Sequence, residues 1–411
     1  MHPGPVTSIA YARPGAGLAL CVVLLLAVSG CATRRFEAAA VDAAPFLQRS
    51  VTQTQGGVSV TAAVPDGPET EALLGIDLYA QGMQPVWLKV ENNGDRLLRV
   101  ALLSVDREYY SPLEVAYVNR KGYSKDGLAA MERWFYENQV PRRLLPGESG
   151  SGFIFTHLVR GTKGFNVDVY TTEQSLNFTF FIPVPGFRAD YMNVNFAGLY
   201  EDDEIREVDI DSLPSILQSL PCCSADESGS ATGDPLNVVL VGTGLAVRRA
   251  LLRAGWLETA ADSPETTLAR THRYRGRQPD GTFHKSRPDG SERKELRLWL
   301  APLRAVGEPV WVGQVSYDMS GATGENAFED YRIDPDIDDA RMFIMQNFWY
   351  TQSLARMGFV GGVPPAAMQQ PARNFNDSEY FTDGLRVVLF VAESPVAMDE
   401  TILLPWERLD E

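Results

Sequence analysis

The chain has 411 residues, with 45% hydrophobic and 10% aromatic content and a formal net charge of −16. That length predicts two domains with ordinary packed cores. So acidic a balance excludes a general nucleic-acid binder, which needs a basic face, although nine Arg or Lys residues fall within 270–297.

The N-terminus has the strongest local signal. Arg13 precedes an apolar run over 16–28. Thirteen residues rising about 1.5 Å each give a helix of roughly 20 Å, short of the ~30 Å core of a bilayer. The run therefore fits the apolar part of a secretory signal, residues 1–30. Val28-Ser29-Gly30-Cys31 resembles the bacterial lipobox. The resemblance implies cleavage before Cys31 and lipidation of that residue, against the plainer reading of a signal peptide that happens to contain a cysteine. Ala32 resembles the outer-membrane sorting pattern. Several acyl chains anchor durably. The expected place is the cell envelope, at the outer membrane and facing the periplasm.

Residues 31–55 are Ala-rich and read as a tether that lifts the folded part off the membrane. From Val58 the period becomes two, and further strands are expected at 86–91, 97–105, 114–118, 152–158, 165–170 and 178–184. A helix near 126–139 would share Leu128, Met131, Trp134 and Phe135 on one face. Short strands at this spacing predict an immunoglobulin-like sandwich over 56–200. Residues 201–235 are rich in acid, Ser and Gly and read as a mobile linker. Cys222 and Cys223 fall inside it. Two readings stand: a bond between neighbours acting as a redox element, or a pair without a role. Neither cysteine has the spacing of a zinc site.

An α+β domain is expected over 236–395, with a tail at 396–411. Asn237-Val238-Val239-Leu240-Val241 reads as a buried strand, and Gly242-Thr243-Gly244 as a turn into a helix that Gly255 stops. The third glycine of a dinucleotide fingerprint would fall at Val247, so a tight turn is preferred to a phosphate site. In 294–318, Leu296, Leu298 and Leu300 alternate with Glu295, Arg297 and Trp299, and a second β-rich run follows at 310–317; together they predict a hairpin. Asp334 is expected to cap a helix running to about residue 357, with Pro335 at its first position. A calcium loop there would need Gly and Glu where Asp339 and Met345 stand. Residues 385–391 read as a buried strand. Strand, helix, hairpin, helix, strand is the βαββαβ order of a ferredoxin-like unit, with an insertion at 258–293. In that order the final strand would be an edge, which its unbroken apolar run does not suit.

The segment from about 234 to 393 resembles the LssY C-terminal domain family. The residues concerned are 236–242, Gly276-Arg277-Gln278 with Asp280 and Phe283, Leu296-Arg297-Leu298-Trp299, Pro309-Val310-Trp311-Val312-Gly313, Asp318, and 333–338 with Arg341. The resemblance implies an envelope or membrane context and no settled activity. Where relatives of this kind carry histidine, this chain has Glu295 and Arg332. Two functions follow as expectations. One is a non-catalytic binding or accessory module for an anionic ligand or envelope protein partner, using Arg277, Asp280, Arg297, Trp299, Trp311, Asp318 and Asp334. No metal or cofactor is called for in that case. The other is a hydrolase of phosphoesters or esters, possibly metal-dependent, drawing on Asp280, His284, Asp318 and Asp334. Buried Arg–Asp pairs could equally be structural.

Overall fold

The computed structural model describes residues 34–286, 292–320 and 331–406. The apolar run at 16–28 and Cys31 lie outside the described residues. The chain is mostly β, with several sheets and few helices.

The first described residue, Arg34, pairs with Tyr123. Phe36 and Phe46 are buried in one cluster with Phe135, Phe153 and Phe155. The 34–55 segment is therefore part of a core and not a tether, because its aromatic residues find a hydrophobic seat that an Ala-rich composition does not announce.

Eight strands follow: β1 (Val51–Gln55), β2 (Val58–Ala63), β3 (Met83–Asn92), β4 (Leu98–Ala101), β5 (Arg143–Leu144), β6 (Ser149–His157), β7 (Thr162–Tyr170) and β8 (Ser175–Pro183). They form two four-stranded sheets, β1-β2-β3-β6 and β5-β4-β7-β8. Val60, Leu88 and Ile154 of the first share one buried cluster with Val100, Val167 and Phe180 of the second. The period-two pattern thus buries one face of each sheet against the other. Three helices decorate this sandwich: α1 (Gly67–Leu74), α2 (Pro112–Val118) and α3 (Lys125–Glu137). The expected strand at 114–118 is α2. A capping box between Ser111 and Glu114, with Pro112 in the first turn, starts a helix there.

The C-terminal part is built on one ten-stranded sheet. Its first members by sequence are β9 (Arg206–Val208), then β12 (Val238–Val241) after a separate β10 (Cys223–Ala225) and β11 (Thr232–Pro235) hairpin. Next come β13 (Leu257–Glu258), β14 (Gly281–Ser286), β15 (Glu292–Ala305), β16 (Glu308–Ser320), β17 (Tyr331–Ile333) and β18 (Leu354–Val360). A small pair, β19 (Ala372–Arg373) and β20 (Glu379–Tyr380), precedes β21 (Arg386–Val391) and β22 (Ile402–Leu403). The main order is β13-β14-β15-β16-β12-β21-β18-β22, with β9 on β15 and β17 on β16.

The β15–β16 hairpin is the longest pairing in this sheet. It turns at Val306-Gly307, both with positive φ, the two-residue turn that matches strand twist. β21 lies between β12 and β18, parallel to β12. That resolves the conflict in the sequence: the final apolar strand is central, and the ferredoxin-like order with a terminal edge strand is not what forms.

Helices α4 (Leu213–Gln218), α5 (Gly244–Arg253), α6 (Pro264–Ala269) and α7 (Ile337–Tyr350) complete the domain. α5 and α7 cover one face, where Val247, Leu251, Ile344 and Phe348 join Leu240, Leu296, Leu298 and Leu389. α4 covers the other, where Leu213 and Leu217 join Val239, Trp299, Val312 and Val388. Both faces are buried, so Trp299 and Arg297 do not face solvent as a one-sided strand would have them. Residues 206–235 hold β9, α4, β10 and β11 and pack on this sheet, so the segment expected to be a mobile linker is folded. Cys222 and Cys223 are disulfide-bonded there. Asp336, not Asp334, caps α7, accepting from the backbone of Asp338 and Asp339. The helix ends at Tyr350, and residues 354–360 are strand β18.

Among the described residues no helix is long and apolar enough to cross a membrane.

Candidate functional site

The candidate residues from the sequence separate into two places. Arg277, Asp280 and Trp311 border an open cleft. Arg297 and Asp318 lie in a buried polar ladder along the β15–β16 hairpin.

The cleft is walled by the 190–196 segment, the start of α5, and the ends of β14, β15 and β16. Its apolar lobe has a volume of about 600 Å³ and is lined by Met192, Phe196, Leu245, Leu298, Leu300 and Trp311, among others. Its polar lobe, of about 310 Å³, is lined by Asp190, Asn193, Thr266, Arg270, Arg277 and Thr282 among others. Val194 and Asp280 belong to both walls.

Trp311 is set by the glycine turn ahead of α5. Its indole N–H donates to the Gly242 carbonyl at 3.0 Å, and Phe196 meets its ring edge-on at 5.7 Å. A Cβ on Gly244 would lie 3.2 Å from this indole. The glycine therefore serves close packing of a tryptophan. Thr243 caps α5 through Ala246 N–H at 3.1 Å.

Arg277 lines the polar lobe. It forms an ion pair with Asp280 and donates to the Tyr200 hydroxyl and, at 3.3 Å, to the Leu300 carbonyl. Asp280 also accepts from Leu300 N–H at 2.7 Å. Burial pushes the Asp280 carboxyl upward, and Arg277 opposes this. Trp299 sits just behind, its indole N–H donating to the Arg277 carbonyl at 3.2 Å. Trp299 is fully buried and offers no stacking surface.

Asp190 was not anticipated. It accepts from the Thr282 hydroxyl and from Tyr191 N–H at 2.7 Å. Burial pushes its carboxyl up to about 6, against the lowering effect of these hydrogen bonds and of Arg270. Tyr191 beside it donates to Glu258, which also takes Arg248 at 2.7 Å and Thr162 N–H at 2.8 Å, tying this wall to the sandwich. The 190–196 stretch has no period of two or of 3.6, so no sequence signal marked it as a wall.

The polar ladder runs along the hairpin, where Arg293 pairs with Asp318, Glu295 with Ser316, and Arg297 with Gln314. Arg297 donates to Gln314 at 2.5 Å and to Glu295 at 2.7 Å, and lies 3.5 Å from Asp234. Asp234 accepts from Asn374 at 2.6 Å. Ser224, His272 and Asp234 meet here, but not as a relay. The Ser224 hydroxyl at 3.1 Å and the Asp234 carboxylate at 3.7 Å approach the same nitrogen, Nδ1. A catalytic triad needs them on opposite nitrogens. Burial, and then Arg297, holds His272 down at about 2, so it is neutral. The adjoining cavity is about 10 Å³, room for one water at most. This ladder is a closed structural network.

Asp334 stands apart from the cleft: it accepts from Asp336 N–H at 2.9 Å ahead of α7. His284 is on β14, 3.3 Å from the Thr259 hydroxyl. Among the described residues no three His, Cys, Asp or Glu side chains are grouped to hold a metal ion.

Residues 217–385 match the family model described as LssY C-terminus. The match begins inside the stretch expected to be a linker, in agreement with the folding of α4 and β10 onto the sheet. No curated protein matches the chain.

Proposed function

We propose that the protein is a lipid-anchored envelope binding module whose cleft takes an amphiphile, with the anionic head at Arg270 and Arg277 and the apolar tail beneath Trp311. The observation that carries this reading is an apolar pocket of about 600 Å³ beside a charged one of about 310 Å³, the two sharing Val194 and Asp280 in their linings. Pockets with mostly apolar walls and a few converging polar groups are the usual form of small-molecule sites. The envelope location rests on Cys31 and its lipobox-like surroundings. The N-terminal sandwich is read as an immunoglobulin-like module, a reading supported by β2, β3 and β6 sharing one sheet and β4, β7 and β8 the other.

Titration with a long-chain anionic amphiphile, such as an alkyl phosphate, followed by calorimetry, tests this. Saturable binding that requires both the alkyl chain and the charge supports it. Equal binding of the alkyl alcohol, or none of either, argues against it.

Asp190 is the observation that favours a hydrolase as the second reading, since a carboxyl held at about 6 beside an open lobe suits general acid–base work. A panel of phosphoesters and esters, with and without divalent metal, decides it. Turnover abolished by Asp190→Asn would replace the binding module with an enzyme.

A further inference from the structure

Arg34, a described residue within the folded part, is only three residues after Cys31. Three residues of fully extended chain span at most roughly 11 Å. Whatever surface surrounds Arg34 is therefore held at the bilayer if Cys31 is lipidated. That surface is the α2–α3 hairpin. Arg34 pairs with Tyr123, accepts from Ser124 N–H at 3.1 Å and stacks its guanidinium 5.0 Å from the Tyr123 ring, at the entry to α3.

The hairpin has an unusual composition for a chain of net charge −16. Arg34, Arg35, Arg120, Lys121 and Lys125 are all exposed around this entry. The acids among them are Glu37, Glu114 and Asp126. On α2, Val115 and Ala116 face the core, whereas Leu113 and Tyr117, one turn apart, are 56% and 61% exposed. Arg120 lies 3.8 Å over the Tyr117 ring. Apolar and aromatic side chains rimmed by Lys and Arg are what an interfacial helix presents to a membrane. Polybasic segments are drawn to anionic lipid.

We infer that the α2–α3 surface docks on an anionic bilayer beside the anchor, with Leu113 and Tyr117 in the interface and Arg120, Lys121 and Lys125 at the headgroups. The inference rests on the lipid-anchor part of the proposed function. The protein would lie on the membrane through its sandwich, not stand away from it on a flexible stalk.

The test is hydrogen exchange on the full chain, purified from membranes and reconstituted in vesicles of phosphatidylethanolamine and phosphatidylglycerol or in phosphatidylethanolamine and phosphatidylcholine. Intact mass reports separately whether Cys31 is acylated. Exchange over 112–125 is expected to slow in the anionic vesicles. The Leu113→Ser/Tyr117→Ser variant is expected to lose that protection and keep its melting temperature, since both side chains are exposed. Acylated protein without protection overturns the docking surface. Protection in protein whose Cys31 is unmodified upholds the surface and sinks the anchor instead.

Discussion

Arg297 and Gln314 face each other across the central hairpin, joined by a 2.5 Å hydrogen bond from guanidinium to side-chain carbonyl. Both are buried, as is Glu295 on the arginine's other side. Removing one member of such a network leaves an uncompensated charge, at a cost of about 3–5 kcal/mol. Arg297→Ala should therefore lower stability by that order in denaturant unfolding. Amphiphile affinity of the remaining folded protein should be unchanged. Weaker binding at unaltered stability would show that the ladder, not the cleft, meets the ligand.

Asp190 makes a pH prediction whose sign is opposite to the usual carboxylate. Its folded value of about 6 lies above the unfolded value of about 3.9, so the folded chain keeps a proton that the unfolded chain has released. The stability this provides is full below the unfolded value and is lost as pH rises to about 6. Asp190→Asn should then gain about 1–3 kcal/mol over wild type at pH 8, and close to nothing at pH 4. His272 acts the other way, losing stability as pH falls below about 6.5, because only the unfolded chain takes up its proton. Comparing variant with wild type at each pH removes that contribution.

Leu245 lines the apolar lobe while remaining 52% exposed. Leu245→Glu should leave stability within about 0.5 kcal/mol, as surface changes do. Binding of the alkyl phosphate should fall at least about tenfold, which is a loss of about 1.4 kcal/mol. Unchanged affinity in calorimetry would place the ligand elsewhere.

Gly313 lets β16 run between its neighbours. A Cβ there would sit 2.8 Å from both Leu298 and Val238. Overpacking at such a site costs about 1–3 kcal/mol, so Gly313→Ala should show a matching loss in thermal or denaturant unfolding.

Period-two segments such as 58–63 and 294–300 were legible because alternation is a local property. The α5 stripe of Val247, Ala250 and Leu251 was legible for the same reason, at a period of 3.6. What stayed hidden depends on partners far away in the chain. A two-sided sheet buries Arg297 as fully as Leu298, and the pattern alone reads as one face in and one face out. The Ser111–Glu114 box is a local helix-start signal, and it stands beside the β-branched Val115 and Val118, residue types that favour strands. Trp311 was singled out for its resemblance to a family motif, and its place on the cleft wall follows from Gly244 packing beneath it. Asp190 and Phe196 come from an aperiodic connection whose shape only tertiary contacts define.

The parallel pairing of β12 with β21 has a consequence for how the chain is made. Its partners are about 150 residues apart, so β12 must wait with an open edge until the C-terminal strand has emerged. A chain that ends before residue 386 would keep Val238–Val241 paired with β16 but leave its other edge open, a template for aggregation. Truncations for expression should therefore keep the 386–391 strand, whereas the sandwich, with its local hairpins, can assemble first.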